Sequence, residues 1–299
     1  MYFICSLQVF SQGYPRGAIL DADLYNSLPR KAEQLTRSFL SLPRSASLKH
    51  YAPAPGHQGP YGTCVAWATA YAAQTIAESA ALDRHDRILA SNNAFSPAFV
   101  YRSISRDPTC QQGTAIFYAL DVAKKQGIPR MQEFERRLKF PDITLSLFSN
   151  IRRFPIAGYA TLYGSPRGQA ADEMSRVRMV KKSLSQGKPV IIGMNCPSSF
   201  DTAQGVWTPK ESPYVMYGGH AMCVVGYDDD KYGGAFEILN SWGEYWGNDG
   251  YIWIDYKTFG RFADEAYELI DDLASYRNAT EYSGFVVIER YGIYESVMK

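Results

Sequence analysis

Gln58-Gly59-Pro60-Tyr61-Gly62-Thr63-Cys64-Val65-Ala66-Trp67 sets a side-chain amide six residues ahead of a thiol, and the thiol opens an apolar run. From Val65 to Glu78 the chain has good helix formers and neither Gly nor Pro, which predicts a buried helix of several turns starting near Cys64. Thr63 is the expected N-cap, with Pro60 and Gly62 keeping the preceding chain out of the helix. A free thiol is a weak nucleophile at its pKa of about 8.5, since only the thiolate attacks. In the first helical turn it faces the positive end of the helix dipole, which favours the thiolate.

Far downstream, His220 opens Ala221-Met222-Cys223-Val224-Val225-Gly226-Tyr227, an apolar run that stops at Asp228-Asp229-Asp230 and reads as a buried strand. Ala235-Phe236-Glu237-Ile238-Leu239 reads as the next strand, with Asn240 at its end. Two strands joined by the turn from Asp228 to Gly234 bring His220 and Asn240 side by side. An imidazole near the thiol is the second device that lowers its pKa, so a Cys64 thiolate paired with a His220 imidazolium is expected. A neutral amide suits such a pair because it orients the ring without adding a third charge.

Thiol, imidazole and amide in that chain order resemble the papain-like cysteine peptidases. The run Asn240-Ser241-Trp242-Gly243-Glu244-Tyr245-Trp246-Gly247-Asn248-Asp249-Gly250-Tyr251-Ile252-Trp253-Ile254 is similar to that family's downstream block almost residue for residue. Looser matches lie at Ser199-Phe200, at Gly205-Val206-Trp207 and at Gly187-Lys188-Pro189-Val190. The resemblance implies an α+β fold with two lobes, one helical and one antiparallel and β-rich, and an active site in the cleft between them. It implies that Cys64 attacks, that Gln58 and the Cys64 backbone N–H bind the oxyanion, that His220 transfers the proton, and that Asn240 orients His220. Trp242 corresponds to a tryptophan that shields the amide–imidazole contact, and with Gly113 it is a candidate substrate-binding residue. The reaction implied is peptide hydrolysis through a thioester, on peptide or protein substrates. The alternatives are an amidase or transpeptidase with the same chemistry, or a silent binding protein that kept the fold.

The pattern departs from the family in three places. Tyr61 stands where a disulfide cysteine is usual, Val65 replaces an aromatic residue, and the glycine-rich cleft wall is reduced to Cys110-Gln111-Gln112-Gly113-Thr114. His220 lies 220 − 64 = 156 residues after Cys64, against about 130–150 in the family. That implies an insertion, expected as a surface loop between Pro129 and Gly168 that flanks the cleft.

With 299 residues, of which 46% are hydrophobic, the chain can bury a full core. A net charge of +1 argues against nucleic acid as a partner. No run approaches a membrane-spanning length, and no metal or cofactor signature is present. The five cysteines leave their pairing open. The start, Tyr2 to Gln12, is similar to the tail of a signal peptide, so a secreted or cell-envelope location is expected. Residues 1–46 read as an N-terminal segment without a long helical prodomain, 47–273 as the peptidase domain and 274–299 as an extension. Asn278-Ala279-Thr280 is a glycosylation sequon, and His57 reads as a surface or structural residue beside Gln58.

Overall fold

Val190–Asn195 and Ala235–Leu239 are buried at every position, as strands covered on both faces must be. They anchor the sheet of a computed structural model that describes residues 13–32, 42–133, 140–165 and 172–270, with the backbone of three short strands at 280–281, 285–289 and 292–296. The signal-like start with Cys5, and Asn278 of the sequon, lie outside the described residues.

The strands are β1 Ser45–Ser47, β2 Arg152–Arg153, β3 Gly158–Thr161, β4 Val190–Asn195, β5 Val206–Trp207, β6 Gly219–Asp228, β7 Ala235–Leu239, β8 Tyr251–Asp255 and β9 Ala263–Ile270. Eight of them form one sheet in the order β3-β9-β4-β6-β7-β8-β5, with β1 on β6. Every pairing is antiparallel except β5 with β8. The ten-residue β6 gives its first half to β4 and its second half to β1 and β7.

The helices are α1 Ala22–Ser27, α2 Cys64–Ala66, α3 Thr75–Ala81, α4 Arg87–Asn92, α5 Pro97–Ile104, α6 Ile116–Lys125, α7 Glu173–Ser185 and α8 Tyr256–Phe262. Ser96 caps α5 through the Phe99 N–H, with Pro97 at N1, and α6 stops before Gly127 at φ 71°. Helix α7 begins at Glu173, where the Asp172 carboxylate caps it by accepting the Met174 N–H.

The predicted Cys64 helix is one continuous rod with a π-helical middle, Trp67–Gln74, between α2 and α3. Its N-cap differs from expectation. Thr63 sits at φ −108°, ψ 13°, outside the extended conformation a capping side chain needs, and its buried Oγ1 has no partner. The far end is locked by charge. Arg130 meets both oxygens of the buried Glu78 carboxylate, at 2.6 and 2.8 Å, and its guanidinium lies between the rings of Phe95 and Phe154.

The expected surface loop is a correction. Its described part holds Ile143 and Phe148 in the core, Phe148 against Phe99. Arg102 of α5 donates to the carbonyls of Pro141 and Ile143. Apolar residues at 140, 143 and 148 make this insertion part of the helical lobe, and Phe140 stacks on Tyr61. The helical lobe, α2 to α6, and the β lobe meet along α2 and β6. No helix among the described residues is long and apolar enough to cross a membrane.

Arg130→Met should strand the Glu78 carboxylate without its main partner and cost about 3–5 kcal/mol of stability. Urea unfolding of both proteins measures it, and a loss under 1 kcal/mol would remove this pair as the lock of the helix.

Candidate active site

Cys64 is the first residue of α2 and fully buried. His220 is the second residue of β6, paired across the sheet with Met194 of β4. The hairpin from β6 to β7 returns the chain so that Asn240, just past β7, meets it: His220 Nε2 and Asn240 Oδ1 are 2.8 Å apart. Asn240 Oδ1 also accepts the Ser241 N–H at 2.8 Å. An atom that accepts a backbone N–H is the oxygen, so Nε2 must be the donor in its bond to Asn240. Nδ1 of the neutral ring is then the open lone pair. It has no hydrogen-bond partner. Trp242 stacks on the imidazole at 4.5 Å and 25°.

The next residue of β6 links the two walls, because the Ala221 N–H points at Cys64 Sγ from 3.5 Å. Burial pushes the Cys64 thiol up to about 11, against backbone N–H donors from Ala221 and Gly17. Burial also lowers His220 to about 3, against the Asn240 bond and helped by the Arg16 charge. Both shifts oppose the thiolate–imidazolium pair expected from sequence. The physical reason is exclusion of water, which penalises both ions.

What excludes the water is the chain itself. Residues 13–21 cross the cleft as an extended strap. The Gly17 N–H reaches Cys64 Sγ at 3.3 Å, the Ala18 N–H bonds Gly219 O at 3.0 Å, the Thr114 N–H bonds Gly17 O at 2.8 Å, and the Ile19 N–H bonds Thr114 O at 2.9 Å. The strap thus pairs with both lobes, antiparallel to Gly219 and parallel to Thr114. Tyr14 stacks on the outer face of Trp242 at 4.5 Å, and Arg16 pairs with Asp201 at 2.6 Å. The group aimed at the sulfur is an N–H, a donor that a nucleophile cannot attack. Gly17 is a steric requirement, since a Cβ there would stand 2.0 Å from Gly62 O. Beyond the strap, α1 is moored by Tyr25, whose hydroxyl bonds the backbone of Ala266.

The other sequence-predicted residues lie here too. Gln58 donates to Tyr61 O at 2.7 Å and to Pro15 O of the strap at 3.2 Å. Its Oε1 accepts Ser241 Oγ–H at 2.6 Å, which fixes the amide's orientation. Ser241 was not singled out in the sequence, although it adjoins Asn240. Gly113 leaves room for Gly17 O, 2.9 Å from where its Cβ would be. His57 is exposed, with its Nδ1 accepting the Gly59 N–H, and it lines the cleft mouth with Tyr14 and Pro15. The strap itself went unread, because a short extended segment with Pro and Gly carries no periodicity. Cys64, Cys110, Cys196 and Cys223 are all free thiols. The described residues contain no group of three or more His, Cys, Asp or Glu arranged to hold a metal ion.

The sequence profile of the papain family of cysteine proteases matches residues 53–268. A peptidase C1-like protein of Acanthamoeba polyphaga mimivirus is 28% identical over 215 residues, covering 67% of this chain and 63% of that protein. The chain thus spans less than two thirds of that relative's length. Among solved structures, a procathepsin B of Trypanosoma congolense superposes with a TM-score of 0.65 at 15% identity, covering 86% of this chain and 87% of that one. Xylellain, a cysteine protease from Xylella fastidiosa, superposes at 0.60 with 23% identity, covering 87% and 97%.

Iodoacetamide should label Cys64 slowly at pH 7 and faster only in base, as the raised thiol pKa is approached. Gly17→Ala forces the strap off Gly62 and should speed neutral-pH labelling about tenfold or more. Equal rates would mean that the strap does not govern access to the thiol.

Proposed function

The chain belongs to the papain family of cysteine proteases, and from that premise we propose that it is a cysteine peptidase held latent by its own residues 13–21. The observation that carries the reading is the His220–Asn240 contact beside Cys64. It spends one ring nitrogen on orientation and leaves Nδ1 free on the wall whose Ala221 N–H touches the thiol.

With the strap displaced, water reaches the pair and both desolvation penalties fall. The proton then moves from Cys64 to His220 Nδ1, and the ion pair stabilises the thiolate. The thiolate attacks the scissile carbonyl carbon, and the carbonyl electrons move onto oxygen. Gln58 Nε2, which in the closed form binds Pro15 O, and the Cys64 backbone N–H donate to that oxyanion. Collapse expels the amine, which takes the His220 proton, and leaves a thioester. Water, deprotonated by His220, releases the acid and restores the thiol. Asn240 keeps the ring aimed throughout, and Trp242 covers the contact on one face.

Cys64→Ala should abolish turnover of a peptide substrate while leaving the fold intact, since a small apolar side chain suits the buried helix start. Gln58→Ala should lower kcat about a hundredfold with KM little changed, because that donor acts on the transition state. Turnover is followed in a strap-loosened Gly17→Ala background. Amide or transpeptidation products in place of free acids would move the chemistry to an amidase or transpeptidase. Thiol labelling without any turnover would leave a binding protein. A Cys64→Ala variant that still cleaves would falsify the mechanism.

A further inference from the structure

One wall of the cleft is set in place without a covalent link. Tyr61 stands where the family's disulfide cysteine is usual, and Cys110 on the facing wall is a buried free thiol. The two segments still meet backbone to backbone. The Gly62 N–H donates to Cys110 O at 2.8 Å, and a Cβ on Gly62 would stand 2.6 Å from Gln111 O. The wall thus abuts the turn that delivers Cys64. Its far end meets whatever backbone lies in the cleft, since the Thr114 N–H bonds Gly17 O at 2.8 Å and the Ile19 N–H bonds Thr114 O at 2.9 Å.

One carboxylate gathers the loop that forms this wall. Asp107 Oδ1 accepts the Thr109 N–H and hydroxyl at 2.8 and 2.7 Å, and Oδ2 accepts the N–H groups of Gln111 and Gln112 at 2.7 and 2.8 Å. Between these donors Cys110 is held at φ 58°, a left-handed conformation that disfavours a residue with a Cβ. With Cys110 so turned, its carbonyl reaches Gly62. Helix α5 braces the loop from behind: the Tyr101 hydroxyl donates to Gln112 O and Arg102 to Asp107 O, both at 2.8 Å. Arg102 also grips the carbonyls of Pro141 and Ile143, so the insertion supports the same loop. Building on the peptidase reading, we propose that Asp107 is a positioning residue of the cleft. Its carboxylate takes the place of a disulfide, holding the wall from Cys110 to Thr114 in the conformation that pairs with the strap and with a peptide that replaces it.

The carboxylate must be ionised to accept four donors. The Thr109 hydroxyl and the backbone N–H groups of Gln112, Thr109 and Gln111 bring Asp107 down to about 2, against the cost of burial. The anion therefore persists at the pH of both measurements below, and the wall needs no oxidant to form.

Two arms of one experiment decide it. The first reads hydrogen exchange of the Thr114 and Ile19 amides at pH 7 in the full chain carrying Cys64→Ala, which keeps thiol chemistry out of the cleft. Asp107→Ala should speed both amides about tenfold or more. Tyr61→Cys is then added and treated with oxidised glutathione. The new thiol and that of Cys110 give up two hydrogens and join as a disulfide, and one oxidised glutathione becomes two molecules of the thiol form. That bond should return both amides to within about twofold of the parent, and dithiothreitol should release them again. Equal exchange in the parent and in Asp107→Ala overturns the proposal, and so does a disulfide that forms without restoring protection. This arm needs no turnover, so it stands apart from the fate of the peptidase reading. The second arm uses the Gly17→Ala background with Cys64 intact. There Asp107→Ala should raise KM for a peptide about tenfold and leave kcat within about twofold, because the wall binds backbone alike in the ground and transition states. Cleavage with an unchanged KM overturns the role in peptide binding and leaves the peptidase reading intact.

Discussion

The register of β6 is the constraint on which the cleft depends. Pairing with β4 sets His220 opposite Met194, and the hairpin to β7 returns Asn240 to within 2.8 Å of the ring. The same strand sends the Ala221 N–H to the thiol and the Gly219 carbonyl to the strap. A slip of one residue would turn His220 to the other face and break all four contacts at once. Burial enforces the register, since eight of the ten residues of β6 are buried. The chemistry at one end of the strand therefore rests on apolar packing along the rest of it.

The strap exploits that same strand end. It lies against Gly219, adds a pairing to Thr114 of the helical lobe and closes the cleft from both sides. Glycine recurs along its path for one reason, close approach of two backbones. A side chain at Gly17 would strike Gly62 O, one at Gly113 would crowd Gly17 O, and one at Gly219 would stand 2.1 Å from Ala18 O. Aromatic stacking of Tyr14 on Trp242 and the Arg16–Asp201 pair then hold the end that side-chain packing leaves free.

The β lobe was legible in the sequence because its strands are uniformly apolar and bounded by turn residues. β7 runs Ala235–Leu239, the bounds its apolar run predicts. The block from Asn240 to Ile254 was legible because it is dense in residue types that few other contexts combine. Three features were not legible, each for a physical reason. The insertion has no period, yet Ile143 and Phe148 bury singly from short 3₁₀ turns and loops, where spacing carries no signal. Thr63 has the right side chain for a cap but the wrong backbone angles, which tertiary contacts decide. The protonation of Cys64 and His220 depends on what covers them, and a segment some fifty residues earlier in the chain supplies the cover.

That cover couples protonation to closure. In the proposed reaction the thiol's proton passes to the imidazole within the pair, so for Cys64 and His220 opening would require no net exchange of protons with solvent near neutral pH. Groups outside the pair must therefore set how closure responds to pH. Glu265 is one, since the strap buries it and its acid form is the one burial favours. A closed form whose carboxyl has the higher pKa binds the proton more tightly than the open form, so through Glu265 acid favours closure and rising pH favours opening. Asp201 acts in the same sense where burial outweighs its Arg16 partner, the balance that leaves its carboxyl above the ordinary range. The strap thus couples access to the thiol, the charge state of the pair and the charge of Glu265 through one event, the removal of water from the cleft.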